Sequence, residues 1–165
     1  MAGVQGEDDE EFLAVLRAER EIQRIVLRYA HGIDRPDFEL VRACFHDGAR
    51  LQYGELFDGP IDEAVEWLRE NLGTLTGCLH HFGAPYIEFG EGGTAASVET
   101  YAANFTSFAG DAGGDPLHVL RATRYLDRFE NREGRWAIVS RRNVVEWSQA
   151  TRGEDPTRFR GRRES

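Results

Sequence analysis

The first part of the chain carries apolar residues at a helical period. Between about residues 9 and 32 one face follows the spacing i, i+3, i+4, i+7 and i+11, and its residues are Ile22, Ile25, Val26, Tyr29 and Ile33. This spacing predicts one long amphipathic helix that ends near Gly32. A short second helix is expected from Pro36 to Phe45, since proline suits a first helical turn. A third helix is expected to follow Asp58-Gly59-Pro60 and to end near Leu72.

The second half of the chain changes to the pattern of strands. A short strand is predicted at 49–53, and four longer ones are predicted at 78–90, 95–108, 117–130 and 135–147, with glycine-rich turns between the long strands. Helices followed by strands define an α+β class. We expect three N-terminal helices packed on a strongly curved antiparallel or mixed sheet, which forms a cone-shaped α+β barrel around a small-molecule pocket.

Length and charge limit the organisation and the partners. A chain of 165 residues predicts one domain, here 10–148, with a disordered acidic lead-in at 1–9 and a polar, arginine-rich tail at 149–165. The formal net charge of −9 argues against nucleic acid and anionic membrane as partners. We find neither a secretory signal nor the run of about 18 apolar residues that a membrane span needs, so we expect a cytoplasmic protein.

Several kinds of chemistry find no support in the residue types. The chain has no lysine, which excludes a lysine Schiff base and suggests a GC-rich bacterial genome. Cys44 and Cys78 fit buried small side chains better than a redox pair. The spacing of histidines and cysteines matches no common metal motif, and we find neither a nucleophile elbow nor a phosphate-binding loop. We therefore expect no metal and no cofactor.

Three segments carry residues that could act chemically. Asp34 follows the long helix, where alone it would be read as a turn residue or helix cap. His80 and His81 begin the first long strand and must point to opposite faces. On the last strand, strict alternation places Arg141 on the face opposite Trp136, and an inward arginine would need an anionic partner.

Three motifs together resemble one known family. They are Y-x-x-x-x-D at Tyr29–Asp34, H-F at His81-Phe82, and Y-L-D-R-F-x-x-x-x-G-R-W-x-I-x-x-R from Tyr125. Over about residues 10–148 the chain is similar to the SnoaL-like branch of the nuclear transport factor 2-like superfamily, which includes dehydratases and a dehydrochlorinase. The resemblance implies a His–Asp pair with His81 as general base and Asp34 as its partner. It also implies catalytic roles for Tyr29, Tyr53 and Arg141.

The activity implied is a cofactor-independent lyase that eliminates water or halide from a hydrophobic small molecule. A neutral imidazole is a competent base near neutral pH, and a carboxylate on its second nitrogen would orient it. The expected substrate-binding residues are Phe82, Tyr101, Thr123, Tyr125 and Asn143. Two alternatives stay open: an isomerase or polyketide cyclase with Asp34 as base, and a non-catalytic ligand-binding or assembly domain. We expect a homo-oligomer, a trimer or a dimer.

Overall fold

The computed structural model describes residues 2–110 and 114–153, with side chains from residue 9 onward. The helices are α1 (Ala2–Asp34), α2 (Phe38–Ala43) and α3 (Ile61–Leu72). The strands are β1 (Phe45–Tyr53), β2 (Phe57–Pro60), β3 (Leu75–Phe82), β4 (Tyr86–Phe89), β5 (Ala95–Phe108), β6 (Leu117–Arg132) and β7 (Arg135–Arg152). Helices packed on a curved sheet confirm the predicted α+β class.

All seven strands belong to one mixed sheet. Its order is β2-β1-β7-β6-β5-β3, and β4 pairs with β5 beyond the end of β3. The β1–β7 pair is parallel and the other pairs are antiparallel. The long strands β5, β6 and β7 therefore supply most of the wall, and β3 lies at one edge of the sheet.

The core forms where the helices meet the concave face of this sheet. Ile22, Val26 and Tyr29 of α1 are almost fully buried, as are Phe129 of β6 and Ile138 of β7. Burial of each such side chain stabilises the fold by about 1.5–3 kcal/mol relative to exposure. The apolar stripe predicted for α1 is thus the surface that docks the helix onto the sheet.

The ends of the chain differ from the prediction. Helix α1 already begins at Ala2, so residues 2–9 are helical rather than a disordered lead-in. Strand β7 continues to Arg152, and its pairing with Leu117 carries the sheet past the expected boundary at residue 148. The rest of the predicted tail, 154–165, lies outside the described residues. None of the described helices is long and apolar enough to cross a membrane.

Two strands also differ in detail. The run predicted at 78–90 is interrupted, because Pro85 has no N–H to donate to a strand ladder. Gly83 still donates to the carbonyl of Tyr101 at 2.8 Å, after which the chain leaves β3 and re-enters the sheet as β4. The short strand β2 was not predicted, and it forms because Phe57–Pro60 pairs with the end of β1.

The outer face of the sheet exposes large apolar side chains. They are Leu79 of β3, Tyr101 and Phe105 of β5, and Trp147 of β7. The predicted trimer or dimer stays a prediction.

Candidate active site

A cavity of about 580 Å³ lies between the helices and the concave face of the sheet. This is within the usual size of a small-molecule site, roughly 300–1,000 Å³. Its apolar lining comes from Ile33, Leu56, Trp67, Leu68, Leu72, Leu75, Phe108 and Val145. Its polar lining includes Tyr53, His80, Asn104, Thr123, Tyr125 and Asn143. A mostly apolar lining with a few polar groups suits a hydrophobic ligand.

Asp34 and His80 form a close pair at this cavity. His80 Nδ1 lies 2.7 Å from Asp34 Oδ1, and the backbone N–H of His80 donates to Oδ2 at 2.9 Å. The two side chains are only 9% and 11% exposed for His80 and Asp34. A carboxylate next to Nδ1 places the proton of the neutral imidazole there, which leaves the Nε2 lone pair free to accept a proton.

The predicted partner of Asp34, His81, is corrected by this geometry. His81 is exposed, whereas His80 and Phe82 lie on the inner face of β3. The alternation of side chains along β3 could have indicated that His80, rather than His81, points inward. Phe82 was expected in the pocket, and a residue one position away cannot share its face, whereas His80, two positions away, can.

Three tyrosine hydroxyls lie deep in the same region. The hydroxyls of Tyr29 and Tyr53 are hydrogen-bonded to each other, and Asn104 Nδ2 donates to the hydroxyl of Tyr125 at 3.1 Å. Burial raises the pKa of all three tyrosines above its ordinary value. They therefore stay protonated and can donate hydrogen bonds. The catalytic roles that the resemblance implies for Tyr29 and Tyr53 stay predictions.

Arg141 does not line the cavity, contrary to its predicted place in the active site. Its guanidinium makes two hydrogen bonds to Asp127, of 2.7 and 2.6 Å, and lies 3.9 Å from the ring centre of Tyr29. Both charged side chains are fully buried. Burial by itself lowers the pKa of Arg141, but the Asp127 carboxylate raises it overall, so the arginine stays charged.

A β-bulge explains why Arg141 points into the core with Ile138. Ile138 pairs with Phe129 and Ser140 pairs with Arg128, which leaves Val139 without a partner on β6. One extra residue reverses the alternation that follows it. The predicted separation of Arg141 from Trp136 onto opposite faces is therefore wrong.

The expected substrate-binding residues divide into two groups. Thr123, Tyr125 and Asn143 line the cavity, and Phe82 packs on Tyr125 with ring centres 4.8 Å apart. Tyr101 is 63% exposed on the outer face, because the inward positions of β5 are the even-numbered ones. Lining residues that the sequence prediction missed include His80, Asn104, Trp67 and Arg121.

One group of side chains has the composition of a metal site. Asp34, Cys78 and His80 each offer a ligand atom, and these atoms lie within 4.8 Å of one another. Both oxygens of Asp34 already accept hydrogen bonds from His80. Burial, reinforced by Asp34, raises the pKa of the Cys78 thiol to about 12, which disfavours the thiolate that a metal would need. The group therefore fits a hydrogen-bonded pair better than a metal centre.

Comparison with known families agrees with this architecture. Residues 14–142 match the SnoaL-like domain, and the chain belongs to that family. Its fold is that of the nuclear transport factor 2-like superfamily. Functionally curated proteins give no match to the chain.

Solved structures show the same fold at low sequence identity. A candidate scytalone dehydratase from Novosphingobium aromaticivorans has a TM-score of 0.72 at 21% identity, with 82% of this chain and 89% of that chain covered. A hexachlorocyclohexane dehydrochlorinase from Novosphingobium barchaimii has a TM-score of 0.75 at 15% identity, with 84% and 93% covered. A protein of unknown function from Mycobacterium tuberculosis has a TM-score of 0.63 at 22% identity, with 87% and 78% covered.

Proposed function

We propose that this protein is a lyase that eliminates water or halide from a hydrophobic carbonyl compound, without a cofactor. The observation that carries the proposal is the Asp34–His80 hydrogen bond of 2.7 Å at the wall of a mostly apolar cavity. A base that is oriented by a carboxylate and shielded from bulk water is the arrangement that proton abstraction from carbon requires. The names of the dehydratase and dehydrochlorinase neighbours give the same reaction class.

In the proposed reaction His80 is the catalytic base and Asp34 is a positioning residue. Nε2 of His80 takes the proton from the carbon next to the substrate carbonyl. The electron pair of the broken C–H bond forms the new C=C bond, and the leaving group departs with the electrons of its own bond. When hydroxide leaves, the proton on His80 can be returned to it as water; when halide leaves, the proton passes to solvent.

The tyrosines would stabilise the negative charge that develops on the carbonyl oxygen. Tyr53 and Tyr125 both line the cavity, and burial keeps their hydroxyls protonated by raising the pKa. Donors fixed in a water-poor site before the reaction begins are worth more than donors in water. Tyr29 acts behind them, because its hydroxyl is hydrogen-bonded to that of Tyr53.

Exchange of substrate protons for deuterium tests the base directly. A panel of aryl and alkyl ketones and keto acids, with and without a β-hydroxyl or β-chloro group, is incubated in D₂O and followed by NMR. We expect His80→Asn to slow exchange and elimination by about 10²–10⁴-fold, the usual contribution of a general base. The adjacent, exposed His81→Asn is the matched control and should retain the wild-type rate.

The proposal is wrong if the wild-type protein exchanges no ketone of the panel, or if the two histidine variants behave alike. Exchange without release of water or halide would instead support the isomerase or cyclase reading. The mass of the product distinguishes these outcomes.

A further inference from the structure

Arg121 differs from the other arginines of the described chain that are at least partly buried. Four arginines in 2–110 and 114–153 are partly or fully buried. Three of them are paired with carboxylates: Arg42, Arg124 and Arg141. Arg121 has no carboxylate of the described residues within ion-pair distance, although acidic residues outnumber basic ones by 29 to 20 in the whole chain. A partly buried guanidinium without a counter-ion is a suitable binding group for an anion that enters the cavity.

Arg121 is also held in place at the cavity. It lines the cavity together with Thr106, and its Nη1 donates to the Thr106 hydroxyl at 3.2 Å. That hydroxyl in turn donates to the carbonyl of Val119 at 3.4 Å. This contact occupies one of the five guanidinium N–H groups and leaves a fork that can bind a planar anion. Glu55, the acidic residue of the same lining, makes no ion pair with Arg121.

The sheet places Arg121 at a defined separation from His80. His80 pairs with Asn104 across β3 and β5, and Asn104 pairs with Arg121 across β5 and β6. The three side chains form one row on the inner face, and all three line the cavity. Since neighbouring strands lie about 4.8 Å apart, the Cα atoms of His80 and Arg121 are roughly 10 Å apart.

A polar atom between them lacks a partner. Asn104 donates through Nδ2 to Thr123 and Tyr125, while its Oδ1 is buried with no hydrogen-bond partner among the described residues. The row therefore presents a base at one end, an unused amide oxygen in the middle and an unpaired cation at the other end.

We propose that Arg121 binds a carboxylate of the substrate, so that the substrate is an amphipathic acid whose apolar body lies along this row. The proposal rests on the proposed function in one respect, namely that the end of the substrate that reacts is the end that lies at His80. The other end is selected by charge, because a partly buried guanidinium without a carboxylate partner favours an anionic molecule over a neutral one of equal shape.

Binding of two matched probes tests this without requiring turnover. Phenylbutyrate and phenylbutyramide have nearly the same shape and differ in charge, and calorimetry gives the Kd of each. We expect the acid to bind the wild-type protein at least about tenfold more tightly than the amide, as a charge-assisted hydrogen bond provides. Arg121→Gln should abolish this preference, and Arg121→Lys should retain part of it.

The matched control is Arg142→Gln, an exposed arginine of β7 that does not line the cavity. It should keep the full preference for the acid. Equal binding of acid and amide to the wild-type protein, absence of binding by the acid, or an unchanged preference in Arg121→Gln would each overturn the proposal. Arg121→Lys keeps the test decisive if the glutamine variant does not fold.

His80→Asn separates this proposal from the proposed function. The variant should still prefer the acid, because Arg121 is intact. Lost acid preference with normal proton exchange contradicts only the role of Arg121, whereas normal acid preference without proton exchange contradicts only the lyase.

Discussion

The domain contains two pairs in which a carboxylate contacts a nitrogen-bearing side chain, one with a histidine and one with an arginine. The two pairs differ in their surroundings. His80 lines the cavity and is 9% exposed, and its partner Asp34 is 11% exposed, whereas the side chains of Asp127 and Arg141 are buried in the core at 0% each. The first contact leaves Nε2 of the histidine available to a ligand. The second is enclosed by aromatic rings, including that of Tyr29. Access to the cavity, rather than residue type, separates a candidate catalytic pair from a structural one.

The largest effect expected from this comparison is on stability. Asp127→Asn removes the counter-charge of a buried arginine, and we expect the free energy of unfolding to fall by about 3–5 kcal/mol. Urea denaturation measures this. Asp58→Asn is the control, because Asp58 pairs with Arg50 at the surface and such a pair contributes only about 0–1 kcal/mol. A loss below about 1 kcal/mol in Asp127→Asn would contradict the structural role given to the buried pair.

The corresponding change in the other pair should affect activity more than stability. In Asp34→Asn an amide could donate to His80 Nδ1 and favour the wrong tautomer, so we expect proton exchange to slow by about 10²-fold, or about 2.7 kcal/mol. Exchange rates and urea denaturation are measured on the same samples. Asp37→Asn serves as the control, since asparagine also caps a helix well and Asp37 only caps α2. Equal exchange rates in the two variants would remove Asp34 from the mechanism.

The smallest expected effect is a loss of stability at alkaline pH. Burial raises the pKa of the Cys44 and Cys78 thiols to about 11 and about 12, and raises the pKa of Tyr29 and Tyr53. At a pH between the pKa of such a group in the unfolded state and its higher pKa in the folded state, the native state binds more protons than the unfolded state. The free energy of unfolding therefore falls as pH rises. The window opens near pH 9.0, the ordinary value for cysteine.

We expect the free energy of unfolding to fall progressively between about pH 9 and pH 11, measured by urea denaturation at each pH. Cys78→Ala removes one of the titrating groups and should make the decrease smaller. A free energy of unfolding that stays constant across this range would show that these groups titrate alike in both states, and a rise would show that the unfolded state binds more protons; either result contradicts the prediction.

Much of this architecture could be predicted from periodicity, since burial imposes it over many residues at once. The apolar stripe of α1 is an example, and it places Asp34 at the end of α1, where its carboxylate contacts His80. Predictions that change when a strand shifts by one residue were less secure, because such a shift moves every side chain to the other face of the sheet. His81 was chosen over His80, although the inward position of Phe82 selects His80 by alternation.

The position of Arg141 could not be predicted in the same way. The bulge at Val139 depends on how β7 pairs with β6, and the local sequence Ala137-Ile138-Val139-Ser140 is that of an ordinary strand. Arg121 was missed for a related reason. Arg121 is notable because no carboxylate of the described residues pairs with it. That can be seen only when the positions of the arginines and the acidic residues in the fold are known.

The hydrogen bond from the His80 backbone to Asp34 has a consequence for the sheet itself. Strand β3 ends the strand order, so an N–H that does not face β5 is a free donor to which another chain could add a strand. The Asp34 carboxylate occupies that donor and brings negative charge and the end of α1 against the open edge. The residue that is proposed to orient the candidate base therefore also removes one free donor from the open edge of the sheet.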